Sequence, residues 1–494
     1  MTGLIRTAIA LSLAALLLAA QLAAPALPVL SGPFGLAGQG DAAAKRRDGG
    51  ADPARQRAAA PRHAAGPSSQ SGDDDEHDED LNDGDRAESC EVDRDGGEFC
   101  AGEVIVALRA GADLAAVVAE MADEEIAMTQ LGAIEGTGVF LFGYAALDDD
   151  AVSERDLVDE LLDVEINDAR PVLWAELNYV GNAPQGNPSR FFPRDTGKPE
   201  ASKTGVSWGK AKTAAEQAAS CASGKNTLVA VIDTGIQRTH PAFAGRIRGG
   251  WNAFDGSTSI DDTGNGLNDD GDLQYGTSVP LIDEAVGHGT HVAGIVLQAA
   301  PRANILPIKA LDSDGAGQAF YLARAIHYAV GQRANVINLS LGSTGNSRAV
   351  AEAVQRALGA GIAVVAAAGN DGASGRAEYP AALPGVIAVG ATDRNDRAAS
   401  FNSAASGIDL GAPGVAIASA FPSGAQGVGS RFATWSGSSM AAPWVSGAVA
   451  ALDSRYAGWT PSRLAGRLAA TADAVRGGGA GAGRVDIGAA AGCR

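Results

Sequence analysis

Positive charge is scarce in this sequence. Lysine and arginine number 38 against 58 aspartates and glutamates, a formal charge of −20 over 494 residues. A chain so acidic is repelled by nucleic acid and by anionic membranes, so neither is expected as a partner. Aromatic residues make up only 5%, while glycines number 65. That balance points to tight turns and close backbone packing rather than to a core of large rings. Histidine is rarer still, with six in all, so few side chains can move a proton near neutral pH. Long apolar runs are confined to the N-terminus.

That N-terminal run, Thr7 to about Ala20, follows Arg6 and leads into small residues. This is the layout of a secretory signal peptide, assigned to residues 1–28. The alternative is an uncleaved anchor, but the run is short of the ~20 residues a span needs. The expectation is therefore a secreted product with no membrane span after signal removal. Export makes the four cysteines readable as disulfides. Cys90 with Cys100 and Cys221 with Cys493 is the working pairing, and the sequence does not choose it over the other connectivities.

Residues 29–100 are rich in Ala, Pro, Gly, Ser and charge, including DDDEHDED at Asp73–Asp80. Such a segment cannot bury enough apolar surface to offset ordering entropy, and it reads as a disordered linker. From Gly102 the texture changes. GEVIVAL, DLAAVVAEMADEE, GVFLFGY, DLVDELLD and PVLWAELNYV predict strand, helix, strand, helix, strand. This makes residues 101–181 a small α+β unit. Beyond it, residues 206–494 alternate short apolar runs with helical patterns, as in LVAVIDTG, GTHVAGIVL, NILPIKAL, FYLARAIHYAVGQ and VINLSLG. The fold class predicted is α/β, a mostly parallel sheet flanked by helices. Active groups in such sheets sit at the carboxyl ends of strands, where VIDTG, SLG and AAGN all fall.

His63 and His77 lie in the linker, His240 precedes a proline, and His327 sits on an apolar helix face. His288 and His291, in GHGTHVAGI, remain. A zinc helix would place a glutamate between its histidines, and here Gly289 and Thr290 stand there instead. A histidine acting as base for a serine fits better. Such a base needs a buried carboxylate to hold its tautomer, and Asp233 ends an apolar strand. An oxyanion needs donors. Asn370 follows the strand AVVAAAG, and Ser439 in SGSSMAAP opens a helix predicted to start at Met440, with Pro443 in its first turn. The order Asp233, His288, Asn370, Ser439 differs from that of the α/β-hydrolases and of chymotrypsin, and matches the subtilisin type.

VIDTGI, His240-Pro241, GHGTHVAGI, SLG, AAGN and GSSMAAP together resemble the subtilisin-like serine proteases, over about Val206 to Ala490. The resemblance implies a triad of Asp233, His288 and Ser439, with Asn370 as oxyanion donor. It implies that Ser340, Leu341 and Gly342 pair with the substrate backbone. Ser438 stands where the family more often has Thr. ELNY, Glu176–Tyr179, is similar to the family's E-P-N-Y ending with Leu177 for Pro. Residues 101–181 are thereby expected to be a propeptide, a chaperone and temporary inhibitor, self-cleaved between about Gly181 and Gly205. DDTGNGLNDDGD, Asp261–Asp272, resembles a calcium loop, with Asp261, Asn265, Asp269 and Asp272 as donors; Thr263 at the third position and Asp272, where the pattern has Glu, depart from it. A plain surface loop is an equal reading. The chemistry itself calls for no cofactor. The expected protein is a secreted, monomeric endopeptidase acting on proteins or peptides, with its own propeptide as inhibitor. Asp371, beside Asn370, favours a basic substrate side chain. A catalytically dead subtilase fold that binds proteins and an esterase with the same triad are the competing readings. The SLG strand favours an extended peptide over an ester.

Overall fold

A computed structural model describes residues 90–92, 98–124, 126–146, 154–167, 169–182, 200–264, 284–343, 345–372, 376–403 and 407–493. The proposed signal peptide and most of the linker lie outside the described residues. Within the segment read as linker, the described strand Cys90–Val92 pairs antiparallel with Glu98–Cys100 and places Cys90 opposite Cys100. A hairpin of this kind is anchored by the longer strand it joins, which local composition does not reveal.

The N-terminal unit is an antiparallel sheet of the strands Glu98–Leu108, Ile126–Ile134, Val139–Ala146 and Val172–Asn182. The strand Ile126–Ile134 is not apparent in the sequence. IAMTQLGAI carries several residues with little preference for strands, and its pairing with Val139–Ala146 forms it. Alternation along Glu98–Leu108 sends Val104, Val106 and Leu108 into one core, with Val117, Met121, Leu157 and Leu161 from the unit's two helices. Ile105 and Ala107 face the other way. They join Leu141 and Trp174 in a core shared with Phe320, Leu322, Ala349 and Val350 of the larger unit.

Polar contacts fix this docking. Val172–Asn182 adds its end to Ala316–Gln318 as an antiparallel strand. Two helices of the larger unit, Ala319–Gly331 and Arg348–Gly359, then receive caps from that same strand. Asn178 Oδ1 accepts from Phe320 N at 3.1 Å. The Glu176 carboxylate accepts from Arg348 N at 2.6 Å, Ala349 N at 2.8 Å and Ser347 Oγ at 2.8 Å. Each satisfies helix N–H groups that have no acceptor inside their own helix.

The larger unit holds a seven-stranded sheet, every pair parallel. Its order is Leu410–Pro413, Ile387–Thr392, Ala363–Ala367, Val336–Leu339, Leu228–Asp233, Asn304–Lys309, Trp251–Asn252. Leu228–Asp233 lies between Asn304–Lys309 and Val336–Leu339, so the winding reverses there. Clefts open at the carboxyl ends of strands at such a reversal. The helices His288–Ala299 and Ser438–Arg455 pack against each other behind this point. Small residues bring them close: a Cβ on Gly447 would meet the Ala299 Cβ at 2.5 Å. The Ser439 helix begins at Ser438 rather than Met440, so Pro443 lies past the first turn. No helix among the described residues is long and apolar enough to cross a membrane.

Cys221 and Cys493 are joined in a disulfide, with Cα atoms 6.0 Å apart and a sequence separation of 272. Replacing both by alanine is expected to lower stability by roughly 3 kcal/mol, or about 5–10 °C in Tm. Thermal melts with and without reductant check this. The parent should fall toward the variant on reduction, while the variant stays put.

Candidate active site

Asp233 is the last residue of its strand and is buried, as is His288 at the first position of its helix. His288 Nδ1 lies 2.7 Å from Asp233 Oδ1, so the carboxylate holds the imidazole with Nδ1 as donor and Nε2 facing away. The flanking glycines make this approach possible. Gly287 caps the helix at φ +94°, a left-handed conformation that costs glycine little. A Cβ on Gly289 would meet the Gly235 oxygen at 2.2 Å and Asp233 Oδ1 at 3.1 Å. The Trp435 ring meets His288 edge-on, with centroids 5.5 Å apart.

A second carboxylate, missed in the sequence, fastens this corner. Asp262 is 2% exposed. Its Oδ1 accepts from Thr234 Oγ1 at 2.9 Å and Gly287 N at 2.8 Å. Its Oδ2 accepts from Thr290 N at 3.0 Å and Thr290 Oγ1 at 2.5 Å. Asp262 thus ties the end of the Asp233 strand to the start of the His288 helix. The expected calcium donor Asp261, its neighbour, is exposed, while Asn265, Asp269 and Asp272 lie outside the described residues. Among the described residues, no three His, Cys, Asp or Glu side chains gather as a metal site. The DD pair carries no sequence signal for which aspartate turns inward. Asp262→Ala, by orphaning buried donors, is expected to cost on the order of 3 kcal/mol in a denaturant melt. Asp262→Asn, which keeps acceptors on one side only, should cost less.

His291 is not a partner for His288. Its Nε2 lies 3.0 Å from the Ile417 oxygen and 3.1 Å from the Ala433 oxygen, and burial lowers its pKa to about 3. It is a neutral ring joining two strands, and the zinc reading has no geometric support. His240 is structural as expected, with Nε2 2.9 Å from the Arg431 oxygen and Nδ1 accepting from Ala242 N.

Ser439 is buried in the first turn of its helix. Ser439 Oγ donates to the Ser340 oxygen at 3.0 Å. Pro443 has no N–H, so the Ser439 carbonyl loses its helical donor four residues on. Ser340 Oγ supplies one instead, at 2.9 Å. Asn338 Nδ2 donates to Ser340 Oγ at 3.0 Å, and Ser446 Oγ donates to Asn338 Oδ1 at 2.8 Å. A buried polar chain therefore runs from the Ser439 helix to the end of strand Val336–Leu339 and back. The strand ends at Leu339, so Ser340, Leu341 and Gly342 lie just beyond its end. Asn370 Oδ1 accepts from Ser438 N at 2.9 Å, which orients the amide with Nδ2 as the opposite end. Gly369 N donates to Ser438 Oγ at 3.2 Å, so Ser438 is a packing residue. Ser436 Oγ, likewise, accepts from Ala416 N.

A parallel sheet with an Asp–His pair at its reversal, and a serine at the start of the adjoining buried helix, defines a recognisable class. The sequence profile of the Subtilase family (Peptidase_S8) matches residues 224–485, more than half of the chain, and the chain belongs to this family. Among its relatives, Subtilisin E of Bacillus subtilis (strain 168) is 38% identical over 262 residues, covering 51% of this chain and 61% of that protein. Thermitase of Thermoactinomyces vulgaris is 37% identical over 280 residues, covering 55% of this chain and 89% of that protein. The match thus spans about three fifths of the length of Subtilisin E and nearly all of thermitase. The crystal structure of fervidolysin from Fervidobacterium pennivorans, described as a keratinolytic enzyme related to subtilisin, superposes with a TM-score of 0.63. It is 25% identical and covers 82% of this chain and 62% of that one.

Proposed function

We propose that this protein is a secreted serine endopeptidase made as a zymogen, with residues 101–181 as its propeptide. The observation that carries the reading is the buried 2.7 Å pair of His288 and Asp233, set beside the helix that begins at Ser438. In the proposed mechanism, Ser439 Oγ attacks the peptide carbonyl while His288 Nε2 takes its proton. Asp233 holds the ring and stabilises the imidazolium. The negative oxygen that forms is held by Asn370 Nδ2 and by the Ser439 N–H at the positive end of its helix. His288 returns the proton to the leaving amine. Water then attacks the acyl-enzyme by the same route and restores Ser439. The segment Ser340–Gly342, at the cleft wall, pairs with the peptide backbone of the substrate.

The propeptide reading is supported by the caps from Glu176 and Asn178. It is supported too by the structural likeness to fervidolysin, whose 82% coverage exceeds what residues 206–494 alone supply. Secretion is supported by the sequence of residues 1–28 and by the Cys221–Cys493 bond, which suits an oxidising compartment.

The test is labelling of the processed protein with a fluorophosphonate probe, followed by peptide mapping. The label is expected on Ser439. A processed, folded protein that takes no label would favour a binding role for a catalytically dead subtilase fold.

A further inference from the structure

Asn335, just before the strand Val336–Leu339, and Ala363, which opens Ala363–Ala367, line a cavity of about 340 Å³. It lies at the amino ends of the parallel strands, the opposite end from Asp233 and Asn370. Ligand pockets hold roughly 300–1,000 Å³, so this one suits a small molecule rather than a length of peptide. Its wall is apolar at the buried residues Ile362, Val449 and Leu464. Two charged residues, Asp453 and Arg333, also line it.

Asp453 is a half-buried carboxylate in the last turn of the helix Ser438–Arg455. That is the negative end of the helix dipole, where an acid is disfavoured. Asn335 Nδ2 donates to Asp453 Oδ2 at 2.9 Å. Asn335 Oδ1 accepts from Leu228 N at 2.9 Å, which fixes the amide and with it the carboxylate. Among the described residues Asp453 has no other hydrogen bond. Neither Asp453 nor Arg333 forms an ion pair among them. Burial pushes the Asp453 carboxyl up, against the bond from Asn335. Trp459 adds its edge to the wall but no platform for a cation. Tyr456 stacks on its ring with centroids 4.3 Å apart, and the Arg463 guanidinium carbon lies 4.0 Å from the ring centroid. These two neighbours take both faces, which leaves Asp453 as the group that attracts a cation.

An acid and a guanidinium thus line one small apolar cavity without meeting each other. A ligand that answers both carries an ammonium and a carboxylate a few bonds apart, on an apolar body. We propose that this cavity binds a free apolar α-amino acid, with its ammonium on Asp453, its carboxylate on Arg333 and its side chain against Ile362, Val449 and Leu464. The site is separate from the cleft and does not depend on the peptidase reading.

The test is titration calorimetry on full-length Ser439→Ala, in which no self-digestion can occur. The probes are L-leucine, 3-methylbutylamine, which lacks its carboxylate, and 4-methylpentanoate, which lacks its ammonium. Leucine is expected to bind at about 1 mM or tighter. Each of the other two should bind at least about tenfold more weakly, because each leaves one charge of the cavity unmatched. Asp453→Asn, added to that chain, keeps an acceptor for Asn335 and should weaken leucine at least about tenfold. Arg333→Asn suits the left-handed backbone at this position, φ +56°, and should bring leucine down to the level of the amine. Arg333 is exposed, so this variant and the three probes decide the matter even where Asp453→Asn melts early. No heat with leucine up to about 10 mM overturns the proposal. Unchanged affinity in the folded variants overturns it too. So does an amine that binds as tightly as leucine, since the site would then read an ammonium alone.

Discussion

Ser439→Ala is expected to accumulate as a full-length, uncut precursor with turnover lower by about 10⁶-fold, the magnitude known for loss of the nucleophile in subtilisin. The structural argument concerns what the change leaves intact. Ser439 contributes two atoms to the buried polar chain: its carbonyl, which accepts from Ser340 Oγ, and its hydroxyl, which donates to the Ser340 oxygen. Alanine keeps the first and removes the second. The Ser340 carbonyl has other lone-pair capacity, so the loss in stability is small beside the loss in rate. Thermal melts of the variant should therefore resemble those of the unprocessed parent. Expression in a protease-free system, read by intact mass, decides the processing question. A variant cut between Gly181 and Gly205 at the normal rate would mean that another protease does the cutting.

Asn370→Ala is expected to fold, to process slowly, and to lose about 10²–10³-fold in kcat with little change in KM, again a range known from a subtilisin asparagine. One complication is visible in the geometry. Asn370 Oδ1 also accepts from Ser438 N, so alanine removes a strut of the nucleophile's turn as well as the proposed oxyanion donor. Asn370→Asp separates the two effects. Aspartate can keep the bond from Ser438 N but offers no N–H to a developing oxyanion. If donation to the oxyanion matters, both variants lose kcat alike. Recovery of kcat in the aspartate variant would mean that support of Ser438 was the whole effect.

The residues whose chemistry is fixed by spacing are readable in the sequence. Asp233, His288, Asn370 and Ser439 each lie beside an apolar run at a turn or helix start, a pattern that survives without coordinates. The framework of the parallel sheet is readable for the same reason, since its buried strands are near-continuous apolar runs. What stays hidden depends on pairings between distant segments. The strand Ile126–Ile134 exists through its neighbour. Asp262 differs from Asp261 only in which way the chain turns. Ser340 reads in the sequence as a surface for substrate, and in the fold its side chain also answers the carbonyl that Pro443 leaves without a helical donor. Glu378, outside every motif, lies against two of them only in the fold.

The Cys221–Cys493 bond has a further consequence. It joins the first helical segments of the larger unit to the last turn of the described chain, so that these two ends cannot fray independently. If the chain is the peptidase proposed above, it is surrounded at working concentration by copies of itself, and any loosened terminus is a substrate. Autolysis that begins at an opened end depends on how often that end opens. A covalent clasp across both ends restrains such opening, and on the peptidase reading it would guard the chain from its own copies as much as from heat.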